Sequence, residues 1–424
     1  MDLKKIYKTY MEGSGSEQEF QYKYYSNDKD TVAVYKREIT KSITNDGNHD
    51  NNEAMHVNFY EDIIQRKIGY MASDISVKTE DERLNEYISD FNLETKQATK
   101  NMDSISAASI SGISHRLVYT EDGIVKIKNI PGWQVVYSYK DDIFNPDYAY
   151  YYYTIIDLEG NKIYHCDVYG RNDVTYYIRS KEGAYTLIEE PQLHNFNQVP
   201  IFPFINNTSQ IGDCKNVINI MNNYDFILSD TADELKSTRL TYLKIWGDLY
   251  TGQDSQGNDI PLVDWLTQGR AMIFGPSDEE GQKPGDAQFL NKTIDDGAVQ
   301  NMLKLLRTHI YEGSGSLDLR ELTDNNNQRV FSIQAALSRL ENNAIVAENY
   351  AKMALRKQYN LLLYFLSETG KGQYDAKDVE IVFTRNFVQD NAALTETLLK
   401  AMNVMTTKRA YELSGLFDNP EQAA

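Results

Sequence analysis

The chain has 424 residues, 41% of them apolar and 25% charged, with 31 tyrosines, two cysteines and a formal net charge of −19. That balance predicts a globular protein of about two or three domains with ample chain for a core. The acidic surplus excludes a protein whose whole surface grips nucleic acid, but it allows a channel along which nucleic acid slides, because like charge on the walls weakens sticking.

The start, Met1-Asp2-Leu3-Lys4-Lys5, has no apolar signal core, and the longest apolar run, Leu361 to Leu366, falls far below the ~18 residues of a membrane span. A soluble protein with no membrane contact is expected. Residues 1 to about 55 are polar and interrupted at Gly13-Ser14-Gly15-Ser16, which predicts a surface arm with some helix and a turn-rich tail from Asn45 to Glu53. A helical stripe follows at Ile63, Ile64, Lys67, Ile68 and Met71, then a second helix around Asp81 to Asp90. A third, Thr95 to Gly112, is rich in small residues that permit close packing.

From His115 the period changes to two. Strands are predicted at Arg116 to Thr120, Ile124 to Ile130, Gln134 to Tyr139, Tyr148 to Asp157, Lys162 to Tyr169, Val174 to Ser180 and Tyr185 to Glu189, separated by turn signals such as Asp122-Gly123. The run Tyr150-Tyr151-Tyr152-Tyr153 could suggest base stacking, but consecutive tyrosines in a strand more simply cover both faces of a sheet. After Val199-Pro200-Ile201-Phe202-Pro203-Phe204 a helix extends to about Thr238, with Met221, Tyr224, Leu228 and Leu235 on one face and Asp225, Asp230, Asp233 and Glu234 outside it. Strands at Leu240 to Trp246, Ala271 to Phe274 and Ala287 to Leu290, around a short helix Leu262 to Leu266, form a small α/β insert.

The helix that returns from the insert carries Val299, Met302, Leu303, Leu306 and Ile310 on one face and stops at Gly313-Ser314-Gly315-Ser316. A polar loop follows, then a helix from near Ser332 to Gly370, on the order of 36 residues and ~54 Å long. Between Gly297 and Phe365 eight basic residues face six acidic ones, a local balance of +2 in a chain of −19. That contrast suits subunit packing or weak contact with a polyanion. Val379 to Arg385 reads as a strand that must pair with something earlier, and Asn391 to Gly415 as a final helix.

No P-loop, HExxH or paired CxxC occurs, the six histidines are scattered, and Gly313-Ser314-Gly315 lacks the setting of a nucleophile elbow. His165 and Cys166 are adjacent in a strand and so point to opposite faces. Cys166 and Cys214 read as free buried thiols of a reducing compartment. No catalytic residue, cofactor or metal is expected, and the chain reads as something other than an enzyme.

The order of these elements resembles the portal proteins of tailed double-stranded DNA bacteriophages, in the family typical of phages of Gram-positive hosts. The resemblance rests on Val57-Asn58-Phe59-Tyr60 with Ile64 to Tyr70, and on Ala107 to Gly112 leading to Val118-Tyr119 and Asp122-Gly123. It rests further on Val199-Pro200, Pro203-Phe204, Asn206-Asn207, Gly212-Asp213, Tyr224-Asp225 and Ser229 to Asp233, and on Gly313 to Asp318 with Ser332 to Glu341. Two departures stand out: Leu317 where the family usually has proline, and Ile333 where a glycine often follows the serine opening the long helix.

The resemblance implies an α+β, multidomain, portal-like architecture. Its parts would be a wing at 1–211, with a helical N-terminal part and a β-rich stretch 115–205; a stem helix, 212–238; a clip, 239–292; and a second stem helix, 293–312. A tunnel loop at 313–331, a long helix and wing strand at 332–388 and a short helical crown at 389–424 would complete it. It implies a ring, commonly a dodecamer, at the capsid vertex of a virion assembled in the host cytoplasm. Double-stranded DNA would pass through the ring, and the terminase large subunit, a head-tail connector or adaptor, and the major capsid and scaffolding proteins would dock on it. The DNA channel would be lined by Leu317, Arg320, Asn325, Asn326, Asn327, Gln328 and Arg329, with Lys304 and Arg307 as backbone contacts. In the clip, Asp278, Glu279, Glu280 and Trp265 would meet docking partners. The rival reading is a multidomain adaptor or scaffold that binds a partner through its long helix, with neither channel nor DNA.

Overall fold

The computed structural model describes residues 2–37, 41–42, 49–50, 54–180, 183–237, 242–246, 249–250, 256–258, 273–274, 286–290, 295–318, 320 and 330–385. The fold is α+β. Helices run in chain order as α1 (Leu3–Tyr10), α2 (Ser16–Tyr25), α3 (Phe59–Met71), α4 (Glu82–Glu94), α5 (Gln97–Ser111), α6 (Ile218–Ser237), α7 (Asp296–Ser314) and α8 (Val330–Glu368). The chain divides into two compact units, one from Met1–Thr31, Asn58–Asn216 and Tyr311–Ala424, the other from Val32–Val57 and Val217–Ile310.

Among the described residues the first unit holds three antiparallel sheets, the smallest a pair of strands taken up below. Val135–Ser138, Tyr148–Ile156, Lys162–Tyr169, Asp173–Arg179 and Tyr185–Leu187 lie side by side in sequence order, with Gln192–Leu193 also paired to Asp173–Arg179. A three-stranded sheet sets Ile113–Glu121 between Ile201–Ile205 and Ile124–Pro131. Its hairpin turns on Asp122 and Gly123, with φ of 52° and 75°, the two positive values a type I′ turn needs. The tyrosine run covers both sheet faces, as the period predicts. Tyr151 packs with Leu117, Val135 and Ile201, whereas Tyr150 and Tyr152 pack with Leu3 and Cys166 on the other side. His165 stacks on Tyr153 at 5.0 Å, away from buried Cys166. Both cysteines are buried free thiols.

Two expectations are corrected here. The N-terminal stretch is not merely a surface arm: Leu3 and Tyr24 are buried, and the Tyr152 hydroxyl donates to the Leu3 carbonyl oxygen at 2.9 Å. A strand at Asp74–Lys78, absent from the sequence reading, is the partner that Glu380–Thr384 required.

Motif residues stitch this unit together. Asn58 caps α3 by accepting from Glu61 N, and the Tyr60 hydroxyl donates to the Ile110 carbonyl oxygen at 2.7 Å. The small residues of α5 admit close approach: Ser109 is fully buried, and a Cβ on Gly112, whose φ is 88°, would lie 2.1 Å from the Gln210 carbonyl oxygen. Lys67, buried in α3, donates to Asn206 Oδ1 at 2.7 Å and to Asp213 Oδ1 and Oδ2 at 3.1 and 2.9 Å.

In the second unit, α6 departs from its reading at two positions. Leu235, expected on the apolar face, is exposed near the helix end, and Asp225, expected outside that face, is fully buried. Its Oδ1 accepts from Val57 N at 3.0 Å, and its Oδ2 lies 2.6 Å from His56 Nδ1. One turn on, Ser229 Oγ accepts from Met55 N at 3.0 Å, so α6 holds the segment 55–57 as a strap. Arg37 pairs with Asp230 and Asp233. Of the α/β insert, Tyr242–Trp246 pairs with Asp286–Leu290, and Leu249–Tyr250 with Ile273–Phe274; the helix expected at Leu262 to Leu266 lies outside the described residues, as does the one at Asn391 to Gly415.

Candidate functional site

The candidate site is the connection between α7 and α8, and its geometry starts with how α7 ends. Ser316 N donates to Tyr311 O at 3.0 Å and Gly315 N to Glu312 O at 3.2 Å, the paired bonds of a Schellman motif with Gly315 in the left-handed position at φ 66°. A side chain at Gly315 would also strike α8, since its Cβ would sit 2.3 Å from Asn343 Nδ2. The glycine-serine stretch therefore acts as a defined stop.

Both footings of the connection rest on one stripe of α3. Asp62, Arg66 and Tyr70 are spaced i, i+4, i+8 and so share a face. Arg66 Nε and Nη2 reach Asp62 at 2.7 and 2.8 Å, and Asp62 Oδ2 accepts the Tyr311 hydroxyl at 2.7 Å, which holds the end of α7. Asp62, Tyr311 and nearby buried Asp318 raise the Arg66 pKa against the opposing effect of desolvation. At the next turn the Tyr70 hydroxyl donates to Glu341 on α8. Glu341 also accepts from Arg385 Nε and Nη2 at 3.1 and 3.2 Å, while Arg385 Nη2 reaches Glu348 at 2.6 Å. Desolvation would lift the Glu341 carboxyl, but hydrogen bonds from Arg385 and Tyr70 outweigh it and hold the pKa below the usual value. Desolvation and the Glu341 hydrogen bond push the Tyr70 phenol up to about 12. Glu312 and Arg339, 3.5 Å apart and exposed, add little.

These contacts fix both ends of the connection, the end of α7 through Tyr311 and the Glu341 turn of α8, on one stripe of α3. Among the described residues no group of three His, Cys, Asp or Glu side chains could hold a metal ion, and no helix is long and apolar enough to cross a membrane.

The model of the family described as phage portal protein, SPP1 Gp6-like, matches residues 16–424. The chain belongs to this family. The portal protein of Bacillus phage SPP1 is 21% identical over 399 residues, covering 88% of this chain and 75% of that protein. The portal protein of Clostridium phage phiCD119 is 25% identical over 233 residues, 54% of this chain and 48% of that one. Two solved gene transfer agent structures also align at 11% identity. The neck of an empty particle, computed with C6 symmetry, has a TM-score of 0.45 over 85% of this chain and 89% of that chain. The native virion has 0.44 over 85% and 90%.

Of the residues expected to carry portal chemistry, Leu317 is half-buried just past the α7 stop, and Arg320 is exposed, its backbone N–H donating to Asp318 Oδ1 at 3.0 Å. Lys304 is exposed on α7, and Arg307 is half-buried and already engaged. Asn325, Asn326, Asn327, Gln328 and Arg329 lie outside the described residues, as do Asp278, Glu279, Glu280 and Trp265. The sequence reading missed the footing formed by Asp62, Arg66, Tyr70, Tyr311, Glu341 and Arg385. Its signal was there in the eight-residue spacing on α3 and in Glu341 and Glu348, seven apart on one face of α8.

Proposed function

We propose that this portal-family chain assembles into a closed ring at one capsid vertex, forming the channel for DNA packaging and ejection. The ring is also the platform on which a terminase and a head-tail connector dock, inside a shell of major capsid and scaffolding proteins. The observation that carries the reading is the family match from residue 16 to 424. The helices on either side of the anchored loop support it. Met302 and Leu305 on α7 and Ile345, Val346 and Met353 on α8 are 41–51% exposed in a single chain, and a neighbouring copy would cover them.

In this reading the wing, stem, clip, tunnel loop and crown take the boundaries given above. The α7–α8 connection lines the channel, with Arg320 and Lys304 toward DNA and the acidic remainder of the chain keeping adhesion low. A separate motor spends the ATP, in keeping with a sequence that has no P-loop. Native mass spectrometry with negative-stain imaging tests the proposal. A closed ring of about a dozen subunits with a central hole is expected. A monomer or dimer at every concentration and salt, even with the scaffolding protein present, would overturn it.

A further inference from the structure

The inner face of α8 is apolar for most of its length, with Ala347, Ala351, Ala354, Leu355, Leu361 and Leu362 all buried. One turn breaks the pattern. Lys357, Gln358 and Tyr359 are consecutive and buried, and each is bonded to a different part of the first unit. Lys357 Nζ donates to Asn145 Oδ1 at 2.8 Å and Gln198 Oε1 at 2.6 Å, in two loops bordering the six-stranded sheet. Gln358 Oε1 accepts from Arg116 Nη1 at 2.7 Å, on the central strand of the three-stranded sheet. The Tyr359 hydroxyl donates to Asn92 Oδ1 at 2.8 Å, on α4.

The bonds are well made, but the groups making them are poorly compensated. Arg116 is fully buried, and its acceptors are Asn129, Asn101, Gln358, Ser104 and the Lys100 carbonyl oxygen, none of them charged. Lys357 likewise meets only neutral oxygens. Desolvation lowers its pKa to about 8, against the weaker pull of Asp142. By contrast Lys67, the other buried lysine among the described residues, has the carboxylate of Asp213. Gln358 Nε2 is buried with no hydrogen-bond partner. Desolvated cations without a counter-ion and an unpaired amide donor all weigh against the closed state.

We infer that the turn Lys357–Tyr359 is a releasable latch, a point where α8 parts from the sheets and loops while the apolar turns on either side keep it seated. Opening lets water reach the Lys357 and Arg116 heads, which offsets the lost bonds. No such relief exists at Leu361 to Leu363, whose exposure the hydrophobic effect opposes.

Hydrogen exchange read by mass spectrometry on the full chain tests the latch, comparing the wild type with two variants that relieve the buried charge differently. Lys357→Met removes it, and Gln198→Glu supplies the missing carboxylate. In both, amides of peptides spanning 351–363 should exchange about tenfold more slowly, the factor equivalent to one pKa unit of relieved desolvation, with α3 peptides unchanged. Faster or unaltered exchange at 351–363 in Gln198→Glu, which preserves the lysine and its packing, would overturn the proposal. So would equal slowing throughout the unit, which would report overall stability and no local release.

Discussion

Replacing Asp213 with asparagine should damage the first unit far more than the loss of one hydrogen bond. The carboxylate lies 2.9 and 3.1 Å from Lys67 Nζ, and the two side chains retain only 7% and 4% of their exposure. Asparagine keeps the shape and a carbonyl acceptor for the Asn206 amide, which now donates to Asp213 Oδ1 at 2.8 Å. It leaves the Lys67 ammonium buried without a counter-charge. Breaking a buried pair from one side costs about 3–5 kcal/mol, whereas removing both charges together is often close to neutral. With an unfolding entropy of about 2.1 cal/mol/K per residue, a unit of this size shifts by roughly 1.5 °C per kcal/mol, so the melting transition of the first unit should fall by roughly 5–8 °C in Asp213→Asn. Adding Lys67→Met should recover most of that loss. Differential scanning calorimetry is the assay. A single variant melting within about 2 °C of the wild type, or a double variant no better than the single, would refute the view of Lys67–Asp213 as a desolvated ion pair.

Two further outcomes follow from the candidate site. Gly315→Ala places a Cβ in the left-handed region at φ 66° and 2.3 Å from Asn343 Nδ2, so a loss of about 1–2 kcal/mol from the backbone alone is expected, with faster hydrogen exchange at 311–318. Glu341 has its pKa held below the unfolded value, so its contribution is present above the usual carboxylate range and lost as the pH falls through the folded pKa. Its partial exposure limits the effect to about 1 kcal/mol or less. Melting curves of Glu341→Gln between about pH 6 and 3 should therefore fall less steeply than those of the wild type, and parallel curves would contradict the pairing with Arg385.

Much of the fold is legible wherever local chemistry decides it. Asp122-Gly123 specifies its hairpin, the period of the tyrosine run assigns both sheet faces, and the α8 stripe marks a helix that the structure extends to 39 residues. What escapes the sequence is burial without apolarity. Gln18, Gln21 and Asp225 look like surface residues, yet all are buried because their polar atoms find partners distant in the chain or in another element. Asp74–Lys78 escapes for a related reason, since a five-residue strand is recognisable only beside a partner that lies far along the chain. At the candidate site the stop at Gly315 is local and legible. The footing on α3 is not, because Asp62, Arg66 and Tyr70 form the kind of polar stripe that most helices simply offer to water.

The pairing of Asp74–Lys78 with Glu380–Thr384 also sets a timetable for synthesis. Its two strands leave the ribosome about three hundred residues apart, an interval of roughly 15–60 s at ordinary elongation rates. Throughout that interval Ile75 and Val77 wait without their cross-strand neighbours Phe383 and Ile381. Most of the second unit, from Val217 to Ile310, has already been made by then. The first unit is thus closed by nearly the last of the described residues to be synthesised, so a nascent chain cannot complete the footing of the α7–α8 connection until Arg385, which contributes to it, has been made.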